Sequence, residues 1–225
     1  MALVLAHRGA STAQPENTIA AFETAREMGA DGVELDIRMS KDDIVVVHHD
    51  AELADGRLIR DTNSKQLPAE VPTLAAVLET CEGMFVNIEI KNDPDDADFD
   101  LEHAIVPELL KLLRGRDIST ILVSSFDMTA INAVHDVAPY IPTGFLTTAR
   151  VGAEVSVGRA AAHGHKAVHP SNDIVTAKWV ATAHEAELTV NVWTVDDPKR
   201  IVELVAMGVD AVITNVPDIA LKALS

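Results

Sequence analysis

Short apolar runs alternate along the chain with longer stretches in which apolar residues recur at helical spacing. Runs of strand length cover Ala2–Ala6, Gly32–Met39, Ile44–His48, Met84–Ile90, Thr120–Ser124, Thr143–Leu146, Lys166–His169, Thr189–Thr194 and Ala211–Thr214. Helical patterning covers Thr18–Met28, Leu74–Cys81, Phe99–Leu113, Asp127–Val137, Ala153–Ala162, Val175–Ala186, Pro198–Met207 and Ile219–Leu224. The punctuation agrees with these bounds. Asn17 precedes the first helix as an N-cap, and Gly29 ends it. Pro198 takes the first helical position after Asp197, and Gly208 stops that helix. Pro107 predicts a kink or a break inside Phe99–Leu113.

Strand-then-helix repetition implies a parallel sheet with helical crossovers. Eight such units in 225 residues predict a closed TIM (β/α)8 barrel formed by one domain, residues 1–225. Ile44–His48 is a supernumerary strand, read as a continuation of Gly32–Met39 or a hairpin off it. Residues 51–70 then form a short inserted segment. An open doubly wound sheet is the alternative. Neither a G-x-G-x-x-G after the first strand nor a G-x-x-x-x-G-K-S/T is present, so nucleotide binding has no support.

Composition narrows the partners. The chain is 48% hydrophobic, enough for a large core, and carries a formal net charge of −17. Such a surface repels nucleic acid and anionic membranes. An anionic small-molecule substrate would need a local positive site, so single Arg and Lys residues matter. Cys81 is the one cysteine, which excludes an intrachain disulfide or a Cys-based metal site and reads as a core thiol. No apolar run reaches 18 residues, so no membrane insertion is expected, and the apolar start lacks the features of a signal peptide. The expected location is cytoplasmic. The sequence sets no oligomeric state.

In a barrel of this kind the active site lies at the C-terminal ends of the strands. Polar residues gather at those ends: His7 and Arg8, Glu34 and Asp36, His48 to Asp50, Glu89 and Lys91, Ser124 and Ser125, His169, Trp193, and Thr214 with Asn215. Glu34 and Asp36 stand two apart on one strand and share a face. Buried carboxylates cannot stay ionised together without a partner, and a divalent cation supplies one. Glu89 adds a third carboxylate, giving a hard oxygen site suited to Mg²⁺ or Ca²⁺. The alternative reading is an outward-facing hairpin, or ion pairs to Arg38 or Lys91. His7 and His49 are the natural proton-transfer pair. Arg8 and Lys91 would clamp a phosphate, or else balance the carboxylates. Trp193 is either a pocket wall or barrel filling. The acidic run 92–98 lacks the glycine and final glutamate of an EF-hand and reads as a solvated loop.

These residues fall in motifs that resemble the glycerophosphodiester phosphodiesterase family over essentially the whole chain. HRG (7–9) with PENT (15–18) resembles its opening signature, GVELDIR (32–38) its E-x-D metal motif, and VVHHD (46–50) its second-histidine motif. VPTLAAVLE (71–79), NIEIK (87–91), SSF (124–126), NVWTVD (191–196) and GVDAVITNVPD (208–218) are similar to later family motifs. The resemblance implies hydrolysis of glycerophosphodiesters to an alcohol and sn-glycerol 3-phosphate, with attack by the neighbouring glycerol hydroxyl through a cyclic phosphate. It implies a divalent metal on Glu34, Asp36 and Glu89, acid–base work by His7 and His49, and phosphate contacts from Arg8 and Lys91. Residues 51–70 depart from the family's usual Leu-Asp-Arg-Thr run, with Arg60-Asp61-Thr62 as a shifted equivalent. A lysophospholipase D-type enzyme on the same scaffold and a non-catalytic phosphoester-binding barrel are the competing readings.

Overall fold

A computed structural model describes residues 2–148 and 151–225. Its strands are β1 (Leu3–His7), β2 (Gly32–Met39), β3 (Val45–Val47), β4 (Phe85–Ile90), β5 (Ile121–Ser125), β6 (Thr143–Thr147), β7 (Ala167–Pro170), β8 (Thr189–Val192) and β9 (Ala211–Thr214). The helices are α1 (Ile19–Met28), α2 (Leu74–Thr80), α3 (Ile105–Leu113), α4 (Met128–Val137), α5 (Ala153–Ala162), α6 (Ala177–Glu185), α7 (Pro198–Met207) and α8 (Pro217–Leu224). Except for β3, every strand runs parallel to its neighbours. β1 pairs with β2 on one side and β9 on the other, so the sheet closes into the expected TIM barrel. β3 lies antiparallel against the end of β2, with Ile37 opposite Val47, and is therefore the hairpin option for the extra strand.

The period-2 alternation of each strand sorts its side chains. Val33, Leu35, Ile37, Val86, Ile88 and Ile90 face outward and pack with Phe22, Ala25, Val77 and Leu109 of the helices. Val168, Val190, Val192 and Val212 do the same with Val180, Ile201 and Leu204 on the other side. Each fully buried side chain of this size contributes roughly 1.5–3 kcal/mol of transfer free energy. The alternate positions face the barrel axis. Leu5, Ala211 and Ile213 form an apolar inner cluster with Phe85 and Trp193, while Glu34, Asp36, Asn87, Glu89, Ser124 and His169 bring polar groups inside.

Several local expectations shift. Thr18, not Asn17, caps α1, its hydroxyl accepting from the Ala21 amide. α3 begins at Ile105 rather than at Phe99, which puts Pro107 in the first turn, where its missing N–H has no intrahelical partner to lose. Residues before it are held instead by Asp100, whose carboxylate accepts from the amides of Glu102 and Ala104. β8 ends at Val192; beyond it a single parallel bridge pairs Trp193 with Ser171, and the Val195 amide donates to the Ile213 carbonyl. α6 begins at Ala177 under a Thr176 cap, after a single 3₁₀ turn at Asn172–Ile174. α8 begins two residues earlier than expected, at Pro217. In the inserted segment, Leu53 and Ile59 bury against Val46, with Leu67 and Val71 packed on them. Arg60 reaches across to the Ala97 carbonyl.

Candidate active site

The turn after β1 is built from unusual backbone. Arg8 (φ 56°), Gly9 (φ 80°) and Asn17 (φ 58°) are all left-handed, a conformation uncommon for residues with a side chain. A Cβ on Gly9 would lie 2.6 Å from the Ala21 backbone, so only glycine lets α1 come this close. The Asn17 amide donates to the Arg8 carbonyl at 2.9 Å, and its side-chain nitrogen to Asp36 Oδ2 at 2.8 Å. The Arg8 amide donates to Glu34 Oε2 at 3.1 Å. HRG and PENT thus form one interlocked turn that holds the carboxylates of β2.

Register brings the carboxylates together. Asp36 lies opposite Glu89 across β2 and β4, and Glu34 opposite Asn87. Oxygens of Glu34, Asp36 and Glu89 lie within 4.8 Å of one another, all buried. Two cations reach in. Arg8 Nε lies 3.1 Å from Asp36 Oδ2, although its N–H is not directed at that oxygen. Lys91 Nζ lies 2.9 Å from Glu89 Oε1 and 3.7 Å from Asp36 Oδ1. Arg38 plays no part in the cluster. Its guanidinium pins Asp98 at 2.6 Å, Asp96 at 2.7 Å and the His49 carbonyl at 2.8 Å. The acidic run is therefore a loop fastened by a buried arginine.

The electrostatics show an excess of one carboxylate. Burial, then the charges of Asp36 and Glu89, push Glu34 well above the usual carboxylate range. Burial, then Asp36, raise Glu89 to about 7. Burial also acts upward on Asp36, but Arg8, Lys91 and His49 outweigh it and hold that group below its ordinary value. Glu34 Oε1 is buried with no hydrogen-bond partner. Three convergent oxygen donors, one of them unmatched, fit a hard divalent cation.

His7 Nδ1 lies 2.7 Å from Asn215 Oδ1, and its Nε2 points to Glu34 Oε2 at 3.8 Å. Burial lowers its pKa, with the Asn215 contact opposing. His49 Nδ1 lies 2.6 Å from Asp50 Oδ1, a bond that holds the Asp50 carboxyl below its ordinary value. His48 Nδ1 lies 2.9 Å from the Asp50 carbonyl oxygen. Trp193 is both wall and filling. It lines a cleft of about 20 Å³ with His7, Glu34, Asn87 and Glu89, packs on the inner apolar cluster, and meets Phe126 edge to face at 5.4 Å. His169 is sealed inside the barrel beside Asn191, and its Nε2 would lie 2.7 Å from a Cβ on Gly144. His49 and Lys91 line a mouth of about 1160 Å³ rimmed by Asp50, Glu52, Asp93, Asp95, Asp96 and Asp173.

Three contributors were not assigned by the sequence. Asn17 reads locally as a cap, and its bond to Asp36 spans 19 positions. Asn215 and Asp196 end or follow strands as other polar residues do. The closure of β9 against β1 brings Asn215 to His7, and Asp196 bonds to Asn215.

A closed parallel barrel that gathers histidines, carboxylates and cations at the carboxyl ends of its strands is a TIM-barrel enzyme. Residues 7–219 match the glycerophosphoryl diester phosphodiesterase family. A glycerophosphodiester phosphodiesterase of Caldanaerobacter subterraneus subsp. tengcongensis is 31% identical over 242 residues, spanning 96% of this chain and 95% of its own. The structure of an Oleispira antarctica phosphodiesterase in complex with the product sn-glycerol-3-phosphate superposes with a TM-score of 0.89 at 26% identity, covering 99% of this chain and 96% of the other. A Thermotoga maritima glycerophosphodiester phosphodiesterase superposes with a TM-score of 0.85 at 28% identity, covering 99% and 98%. The chain belongs to the glycerophosphoryl diester phosphodiesterase family and is an enzyme of that type.

Proposed function

We propose that this enzyme hydrolyses glycerophosphodiesters to sn-glycerol 3-phosphate and a free alcohol, with a divalent cation, Mg²⁺ or Ca²⁺, held by Glu34, Asp36 and Glu89. The observation that carries this reading is the buried carboxylate triad with an unmatched Glu34 oxygen, beside His7 and two cations. When bound, the cation would supply positive charge to offset the phosphodiester and its developing negative charge. Arg8 and Lys91 add fixed positive charge and hold the phosphoryl oxygens. Trp193 and the inner apolar cluster shape the wall against which the glycerol carbons rest.

The two histidines divide the proton transfers by their partners. His7 faces a neutral amide oxygen and is kept uncharged by burial, so it serves as the base that takes the proton from the attacking hydroxyl. His49, with Nδ1 held at 2.6 Å by Asp50 Oδ1, lines the open mouth where the alcohol departs, so it gives a proton to the departing alcohol oxygen. As the attacking glycerol oxygen bonds to phosphorus the bond to the alcohol breaks, leaving a cyclic phosphate. Water then adds to that phosphorus and breaks one ring P–O bond, with the two histidines exchanging roles, to give sn-glycerol 3-phosphate. The acidic mouth argues against an acyl chain at the leaving end, and hence against a lysophospholipase D-type substrate.

The test is release of sn-glycerol 3-phosphate from glycerophosphocholine and glycerophosphoethanolamine after EDTA treatment, then with added Mg²⁺ or Ca²⁺. Metal-restored release is expected, and His7→Ala and His49→Ala should each lose at least ~100-fold in kcat, the lower end of what acid–base groups contribute. A folded protein that binds either diester without releasing product under any metal would replace this reading with a binding protein.

A further inference from the structure

His7 can act as a base through Nε2 only if its other ring nitrogen carries the proton. That nitrogen faces Asn215 Oδ1. An asparagine side chain, however, can present either its oxygen or its NH₂ in the same place. If the amide were turned over, its NH₂ would face Nδ1 and push the proton to Nε2, which would remove the base. Something must choose the orientation.

The choice is made one strand further round the barrel. Asp196, in the loop after β8, places Oδ2 2.7 Å from Asn215 Nδ2. An ionised carboxylate only accepts, so it selects the NH₂ end of the amide and leaves the oxygen for His7. Asp196 is itself held. Its Oδ1 accepts from the Asn215 main-chain amide at 2.8 Å and from the Thr214 hydroxyl at 3.0 Å. The Thr214 oxygen in turn accepts from the Val216 amide at 3.1 Å. On the other side, the Ser11 hydroxyl donates to Asn215 Oδ1 at 2.9 Å. The acceptor-only Asp196 carboxylate sets the orientation, and the Ser11 hydroxyl, able to donate or accept, donates in keeping with it. The chain Asp196, Asn215, His7 runs across the ends of three adjacent strands, β8, β9 and β1.

We propose that Asp196 is a positioning residue that fixes the tautomer of His7 through Asn215, with Ser11 as its second support. This assignment rests on the reading of His7 as the base. It also explains a difference between the two histidines. A carboxylate bonded directly to His7 would stabilise the imidazolium; the interposed amide orients the ring without adding a charge to it.

The experiment is ¹⁵N NMR of the histidine side chains, with His7 assigned by its absence in His7→Gln, alongside steady-state kinetics on glycerophosphocholine. The wild type should show a protonated, pyrrole-type Nδ1 and a bare, pyridine-type Nε2 at His7. Asp196→Asn, which can donate as well as accept, should give a mixed tautomer population, about tenfold lower kcat, KM within twofold and an unchanged melting temperature. Asp196→Glu should restore both kcat and the wild-type resonances. Ser11→Ala removes the other support and should shift the same resonances more weakly, and it serves if Asp196→Asn does not fold. A wild-type His7 protonated at Nε2, or an Asp196→Asn protein with wild-type tautomer and kcat, would overturn the proposal. Wild-type protein that releases no product would overturn the hydrolase reading instead, and the resonances would still decide the role of Asp196.

Discussion

At the scale of single residues, the site depends on backbone that few residues can adopt. Gly9 combines a left-handed φ of 80° with a Cβ position 2.6 Å from the Ala21 backbone. Gly9→Ala must move α1 or the turn, and a loss of about 1–3 kcal/mol is expected in urea denaturation, with reduced activity because Arg8 shifts too. Asn17 is strained in the same sense but holds its conformation through the bond to Asp36. The triplet histidine-arginine-glycine was legible as chemistry in the sequence. The strain that aims it was not, because φ depends on a contact with a helix that follows 10 residues later.

At the scale of elements, caps and pins decide order around the mouth. Thr18 caps α1 and also donates to the Pro15 carbonyl, tying helix to turn. Thr18→Ala should cost about 1 kcal/mol, a fall of roughly 2–4 °C in melting temperature by calorimetry. Arg38 is 2% exposed and bridges β2 to the acidic loop through Asp96 and Asp98. Arg38→Met strands a nearly buried Asp98, and a loss on the order of 3–5 kcal/mol is expected. Limited proteolysis should then cut within residues 93–98, which the wild type protects. Helix and strand patterns told the elements apart well, whereas their ends moved where a side chain outside the periodic pattern took the hydrogen bonds, as where the Asp100 carboxylate holds the amides just before α3.

Over the whole molecule, burial sets the response to pH and metal. Burial depresses His169 to about 3 and, with the nearby His135 and His163 adding to it, His165 to about 4. The unfolded chain therefore binds more protons below the ordinary histidine range, and stability contributed by these neutral rings is lost as pH falls from 6.5 through those values. Thermal denaturation between pH 7 and 4 should show the decline. The carboxylates behave in the opposite way without metal. Glu34 and Glu89 are raised, Glu89 to about 7, so their protonation favours the fold below the ordinary glutamate range and that contribution fades as pH rises through about 7. A bound cation replaces those protons. Added Mg²⁺ or Ca²⁺ should raise the melting temperature most above pH 7 and progressively less toward pH 5.

The sequence by itself determined the order of strands and helices, the barrel they close into, and the residue types available at the strand ends. Those follow from periodicity and from motifs that lie within a few residues of one another. Glu34 and Asp36 share a face because they are two apart on one strand. Only the tertiary structure decided which of these groups meet. Strand register puts Asp36 beside Glu89, closure of β1 against β9 brings Asn215 to His7, and Asp196 reaches Asn215 from one strand further round. It also gave Arg38 to the acidic loop rather than to the carboxylate cluster. Hydrogen bonds and charge pairs act over about 3–4 Å, and that distance is set by packing between segments far apart in the chain, which a local pattern cannot encode.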